Sequence, residues 1–220
     1  MKKDKLDIIY EDKYFLIVNK PSNLLTISNL KETENTLYHK VYLYLKRKNK
    51  NNKVFIVHRL DYETSGLVIF AKNIEIKKFF QDNWKSVTRK YLAIVNGQVQ
   101  KEKGVIKSYL KETKTNLVYI NKKSKDGLLA ITNYRKILVT NKYSLLEILI
   151  KTGRKNQIRV QLSDIGHPLL GDSKYGIKTK QKRMFLHAYY LKFNHPITME
   201  SLEFELDVPN DFLKILKCKI

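Results

Sequence analysis

The sequence predicts an α+β fold: a mixed, mainly antiparallel β-sheet with flanking helices. Three observations lead there. Apolar runs of β type are interrupted by segments with apolar residues at helical spacing, at residues 36–46, 74–84, 157–165 and 211–217. Between residues 105 and 150, β-rich stretches are joined by turns at residues 121–127 and at Asn141-Lys142. Those connections are too short for helical crossovers, so the middle of the chain is antiparallel. No internal repeat and no linker rich in Pro, Gly or Ser divides the 220 residues, so one compact domain is expected.

In chain order, residues 8–10 and 15–19 are short strands about the turn Glu11-Asp12-Lys13. Lys20-Pro21-Ser22-Asn23 ends the second, because Pro cannot continue a ladder. Leu37, Val41 and Leu45 line one face of the first helix, and the Lys/Asn run at residues 46–53 is an exposed basic loop. Residues 55–57 and 67–71 are strands flanking a polar segment. A helix at 74–84 and a strand at 91–95 follow. A short helix over 157–165 stops at Gly166. Strands at 185–193 and 202–206 precede a terminal helix at 211–217, with Asp211 as its expected cap.

Composition narrows the function. Lys and Arg total 43 against 21 Asp and Glu, a net charge of +22, which suits a polyanionic partner such as nucleic acid. Cys218 is the single cysteine, which excludes an intramolecular disulfide, an iron–sulfur cluster and a cysteine zinc site. The five histidines show no metal-ligand spacing. No apolar run approaches the roughly 18 residues of a membrane span, and the N-terminal ten residues carry Asp4 and Asp7 without a signal core. A cytoplasmic protein without membrane attachment is expected. A chain that writes Lys by default holds only seven arginines; Arg59, Arg154 and Arg159 are among them and fall in motifs.

Three segments carry chemistry. His58-Arg59-Leu60-Asp61-Tyr62-Glu63-Thr64-Ser65-Gly66 is a polar connector between two apolar strands, a rigidly supported place for a reactive side chain. Asp61 is either reactive or a cap for the amides of Thr64 and Ser65. Lys151-Thr152-Gly153-Arg154-Lys155-Asn156-Gln157-Ile158-Arg159-Val160 leaves a strand, turns and enters a helix, where free amides, Lys151, Arg154 and Lys155 suit a phosphate. Arg159 lies between Ile158 and Val160 and points inward or to solvent. A buried guanidinium needs a carboxylate, for which Asp61 is the natural candidate. Alternation in Arg89-Lys90-Tyr91-Leu92-Ala93-Ile94-Val95-Asn96-Gly97 puts Tyr91, Ala93 and Val95 on one face. The runs at 46–53 and 178–183 are either patches for a nucleic-acid backbone or solvated loops. The loop at residues 166–176 reads as structural.

Together these segments resemble the RluA family of pseudouridine synthases over about residues 8–216. Asn19-Lys20-Pro21 with Leu24-Leu25 is similar to the family's opening segment. His58-Arg59-Leu60-Asp61 with Thr64-Ser65-Gly66 matches its catalytic motif, and Tyr91, Ala93, Val95 and Gly97 its tyrosine motif. Thr152-Gly153-Arg154, Gln157-Ile158-Arg159-Val160, Gly166, Pro168 and Gly171-Asp172 match the third. Leu186-His187-Ala188 and Phe193 with His195-Pro196 match the last. Asn156 and Gln161 stand where the family often has His. Asn23 replaces a usual Gly, a position at which Asn tolerates a left-handed turn.

The resemblance implies a bent sheet of the pseudouridine synthase fold and a single catalytic domain over residues 1–220 without an N-terminal accessory RNA-binding domain. It implies a monomeric enzyme that isomerises uridine in ribosomal or transfer RNA and needs neither cofactor nor metal. Asp61 would be the essential carboxylate, attacking the ribose or removing a sugar proton. Tyr91 would stack near the base and take part in proton transfer, and Arg159 would pair with Asp61. Leu186 would line the uracil pocket, and Arg59 would contact RNA around the flipped nucleotide, with His58 and Arg154 also on the substrate side. Two other readings stand beside it. One is an RNA-binding or ribosome-assembly factor without catalysis. The other is a hydrolase, which would usually show a second catalytic carboxylate or metal ligands.

Overall fold

The computed structural model describes residues 6–30, 32–122 and 126–217; Cys218 lies outside the described residues. The elements, in chain order, are β1 (Ile8–Glu11), β2 (Phe15–Lys20), α1 (Leu37–Lys48), β3 (Phe55–Ile56), β4 (Ser65–Ala71), α2 (Ile74–Asp82) and β5 (Thr88–Asn96). There follow β6 (Lys103–Glu112), β7 (Val118–Ile120), β8 (Leu128–Val139), β9 (Tyr143–Ile150), α3 (Gln157–Asp164), β10 (Leu186–Asn194), β11 (Ser201–Glu205) and α4 (Asn210–Leu216). The sheet is mixed and mostly antiparallel, as the sequence predicts. The chain groups into two compact units, residues 1–87 with 190–206 and residues 88–189 with 207–220. The chain passes from one to the other without a Pro/Gly/Ser-rich linker, so composition leaves no mark of the division.

In the first unit the strand order is β1-β2-β4, with β3 also on β4 and a β10–β11 hairpin. β2 and β4 pair antiparallel from Phe15↔Ala71 to Lys20↔Gly66. All seven residues of β4 are buried, so it reads as an unbroken apolar run without alternation. Phe15, Ile17, Leu67, Ile69, Ile76 and Phe80 build the core. Helix α1 buries Leu37, Val41 and Leu45, and Thr36 caps it by accepting from the His39 amide at 3.1 Å. Asp12 Oδ1 accepts the Tyr14 and Phe15 amides at 2.6 and 2.8 Å. Its Oδ2 meets His195 Nε2 at 2.9 Å, while His195 Nδ1 accepts the Ile197 and Thr198 amides. Two turns are thereby tied together around one buried imidazole.

In the second unit the order is β5-β9-β8-β6-β7, with every registered pair antiparallel. Tyr91, Ala93 and Val95 do share a face, which packs with Leu146, Ile148 and Leu186 against Ile158 and Leu162 of α3. Helix α4 departs from expectation at its start. Pro209 holds the cap position, and Asp211 sits in the first turn, where it receives Arg183 Nη1 at 2.9 Å. Arg183 is therefore engaged with Asp211 and packed over Phe185 and Phe212, not part of a free basic patch.

Candidate active site

The segment ahead of β4 is held by the segment that follows β2. Lys20 is 0% exposed, and its Nζ donates to the carbonyls of Pro21, Leu24 and Tyr62 at 3.0, 2.8 and 3.1 Å. Ser22 Oγ donates to the Glu63 carbonyl at 2.6 Å. Thr26 Oγ1 donates to the Leu60 carbonyl at 2.7 Å and accepts the Leu60 amide at 3.2 Å. The turn that brings these donors round passes through Asn23 at φ 59°, the left-handed bend the sequence allows there. The backbone is thus fixed immediately before Asp61 and at the two residues after it. The Asp61 carbonyl accepts the Thr64 amide at 3.1 Å, which closes the turn.

Asp61 itself is half-buried and Arg59 is exposed. No carboxylate or hydrogen-bond partner holds the Arg59 guanidinium among the described residues. His58 has work inside the fold. Its Nε2 accepts the Ile69 amide at 3.1 Å, and its ring lies 4.6 Å from that of Trp84. An accepting Nε2 puts the proton of the neutral imidazole on Nδ1.

Of the other expected residues, Tyr91, Arg154, Arg159 and Leu186 belong to the second unit. Tyr91 and Leu186 are brought into one apolar cluster, with Tyr91 only partly buried. Arg89, two residues earlier on the same face of β5, is also buried. A Cβ on Gly153 would come within 3.0 Å of its Nη1, so the turn before α3 packs directly on this guanidinium.

Arg159 does point inward. The carboxylate in contact with it within this unit is Asp172, which the sequence placed in a structural loop. Nε and Nη2 of Arg159 donate to Oδ2 and Oδ1 of Asp172 at 2.8 and 2.7 Å, a bidentate fork with side chains 8% and 0% exposed. Asp172 Oδ1 also accepts the Lys174 and Tyr175 amides at 2.8 and 3.0 Å. Burial pushes the Asp172 carboxyl up, but the bonds and charge of Arg159 and the two amides outweigh it and hold the group below the ordinary carboxylate range. Gly171 is what admits this loop: its φ is 77°, and a Cβ would lie 1.9 Å from the Arg183 carbonyl. Arg159 further lies 5.4 Å from the Tyr175 ring centroid.

Several groups at the start of α3 have partners within the fold. Gln157 Oε1 accepts the Arg154 amide at 3.0 Å and the Thr152 hydroxyl at 2.8 Å. Lys155 Nζ pairs with Glu112, and Arg154 Nε donates to the Leu129 carbonyl at 3.1 Å. Asn156 is left-handed at φ 53°, a conformation that Asn tolerates well, and its amide donates to the Tyr175 hydroxyl at 3.2 Å. Gln161 is fully buried and donates to Ile106, Ser108 and Ala130. Both departures from the family's usual His are therefore packing positions. Beside Leu186, burial pushes His187 down to about 4, so it is neutral at physiological pH. Among the described residues no group of three or more His, Cys, Asp or Glu is arranged to hold a metal ion, and no helix is long and apolar enough to cross a membrane.

The sequence profile of the RNA pseudouridylate synthase family matches residues 14–164. The chain belongs to the RluA family of RNA pseudouridine synthases. It is 36% identical over 216 residues to the ribosomal large subunit pseudouridine synthase C of Rickettsia prowazekii (strain Madrid E), covering 94% of this chain and 69% of that protein. It is 33% identical over 220 residues to the tRNA pseudouridine synthase C of Haemophilus ducreyi, covering 90% and 89%. The fold matches that of the human RNA pseudouridylate synthase domain containing 4, with a TM-score of 0.81 at 23% identity over 97% and 94% of the two chains. The chain is thus an RNA pseudouridine synthase, an isomerase.

Sequence reasoning matched Lys20 and Asp172 to family segments without giving either a role, and did not single out Thr26; the structure shows the bonds that all three make. A lysine closing an apolar strand directly ahead of Pro21, and a lone acid next to Gly171 after an apolar run, were the signals available.

Proposed function

We propose that this protein isomerises one or more uridines of ribosomal or transfer RNA, with Asp61 as the essential carboxylate. The observation that carries the assignment is the bracing of Leu60, Tyr62 and Glu63 by Thr26, Lys20 and Ser22, which fixes the backbone on both sides of one acid. Both substrate classes stay in the proposal, because the relatives named for them are about equally similar to this chain.

The reaction breaks the N1–C1′ bond of uridine, turns the base and joins C5 to C1′. The C5 proton leaves and N1 gains one, so the product is an isomer and no electrons are exchanged. The uridine must first leave its stack, at a cost of a few kcal/mol. Stacking against Tyr91 returns roughly 1–3 kcal/mol. The Asp61 carboxylate either attacks C1′ or takes a proton from the sugar. Arg159 is the proposed cationic partner in this chemistry, with its Nε–Nη2 edge committed to Asp172. Leu186 supplies an apolar wall for the ring, and the exposed Arg59 reaches RNA beside the flipped nucleotide. In this reading residues 1–220 act as a single monomeric catalytic domain that uses no cofactor.

Mapping pseudouridines in cellular RNA with and without the gene tests the reading. Loss at a defined uridine, restored by the wild-type gene, supports it and names the substrate. An unchanged map would replace the enzyme with a factor that only binds RNA.

A further inference from the structure

A groove of about 1150 Å³ opens beside β6, and none of the proposed catalytic residues lines it. It lies wholly within the second unit, at the C-terminal end of α3, whereas Arg159 is in the first turn of that helix. Strand β7 pairs with β6 only at Leu110–Glu112, so the preceding part of β6 has β8 on one side and the groove on the other. Four lysines are in the lining: Lys101, Lys103, Lys107 and Lys122. The one acid in the lining, Asp164, is paired with Lys122. Lys101, Lys103 and Lys107 are exposed and have no carboxylate partner among the described residues. Behind the rim, Lys136 Nζ donates to the carbonyls of Val99 and Gln100 at 3.0 and 2.9 Å, which fixes a further positive charge there.

The groove also has an aromatic wall with a definite cause. Gly104 pairs across the ladder with Tyr134, and a Cβ on Gly104 would lie 2.6 Å from the Tyr134 ring. Only a glycine lets that ring lie directly on the β6 backbone. Tyr134 packs on the apolar cluster and lines the groove as well.

We propose that this groove holds a single-stranded stretch of the substrate RNA, with Lys101, Lys103 and Lys107 on phosphates and Tyr134 stacked on a base. The proposal rests on the RNA reading above and deepens it: it adds a contact with the substrate at the C-terminal end of α3. Unpaired lysines around an aromatic platform are the general means of tracking single-stranded nucleic acid, and a duplex offers no free base face to a tyrosine. The competing occupant is an extended peptide on the uncovered β6 edge, which a row of lysines disfavours.

The test uses the full chain and two probes, a short fluorescein-labelled oligouridylate and an RNA duplex of the same length. A Lys101→Gln/Lys103→Gln/Lys107→Gln variant should lower the slope of log K against log salt for oligouridylate by about 2, at about 0.7 per phosphate contact. Tyr134→Leu should weaken oligouridylate several-fold and leave the duplex unchanged. Gly104→Ala, which displaces the ring without removing it, should act in the same direction. An unchanged oligouridylate slope overturns the proposal, and so does an equal loss on both probes in Tyr134→Leu. Failure of the wild-type protein to form pseudouridine would be read in the separate activity assay and would bear on the enzyme reading alone.

Discussion

Asp172→Asn removes a charge and keeps a shape. Its Oδ1 can still accept the Lys174 and Tyr175 amides, but Arg159, with a side chain 8% exposed, loses the carboxylate that its Nε–Nη2 edge holds. Breaking a buried pair from one side costs about 3–5 kcal/mol, because the remaining charge stays out of water. That is a large share of a total stability of about 5–15 kcal/mol. Urea unfolding at pH 7 should show it as a midpoint lower by about 1 M or more, with an unchanged slope. Glu203→Gln is the control: it breaks the pair of Lys192 with Glu203, whose side chains are 48% and 50% exposed, and should cost about 0–1 kcal/mol. Acid should close the gap between wild type and Asp172→Asn. The folded carboxyl sits below its ordinary value of 3.8, so its contribution is whole above that pH and is lost as pH falls through the lower folded value. An Arg159→Met/Asp172→Leu double variant should recover much of the lost stability without recovering activity. A difference at pH 7 under about 0.5 kcal/mol, within the ordinary scatter of surface substitutions, would refute the reasoning. A difference that grows on acidification below pH 3.8 would refute it too.

Three further outcomes are expected. Lys20→Met leaves the carbonyls of Pro21, Leu24 and Tyr62 without their ammonium donor, at about 1–3 kcal/mol for a buried group left unsatisfied, and should slow pseudouridine formation while RNA affinity is kept; stopped-time assays at saturating RNA read it. Gly171→Ala forces a Cβ to 1.9 Å from the Arg183 carbonyl at a φ of 77° and should cost about 1–3 kcal/mol in thermal unfolding. His187→Leu should flatten stability against pH between 6.5 and about 4. The folded pKa of His187 is depressed by burial, so wild type loses stability as pH falls through that window and the variant does not.

What was legible in the sequence was whatever a local pattern encodes. Leu37, Val41 and Leu45 repeat at helical spacing and are the residues α1 buries. Alternation on β5 put Tyr91 on the face it occupies, and Asn23 adopts the left-handed bend its side chain permits. Asp211 misled because a helix can start one turn from any plausible cap, and here Pro209 starts it. The bracing of Asp61 was not legible, since it joins residues 41 and 42 positions apart for Ser22 with Glu63 and Lys20 with Tyr62. Arg159 could be read as needing an acid, for which Asp61 was named; Asp172 was not considered for it. The partner within its own unit is 13 positions on, at the end of a strained glycine turn whose shape depends on the Arg183 backbone. The partners that basic residues 154, 155 and 183 meet inside the fold were not legible either, because sequence records charge and not the carboxylates or carbonyls brought to it.

The most direct test compares single-turnover formation of pseudouridine in transcripts of ribosomal and transfer RNA by wild-type protein and by Asp61→Asn. The substitution keeps the size of the side chain within a backbone fixed by Thr26, Lys20 and Ser22. Wild-type protein should convert a defined uridine, while Asp61→Asn should bind the same RNA with similar affinity and form no pseudouridine. Product at the wild-type rate from folded Asp61→Asn protein would contradict the account, because the carboxylate would then not be the group that acts on the nucleoside.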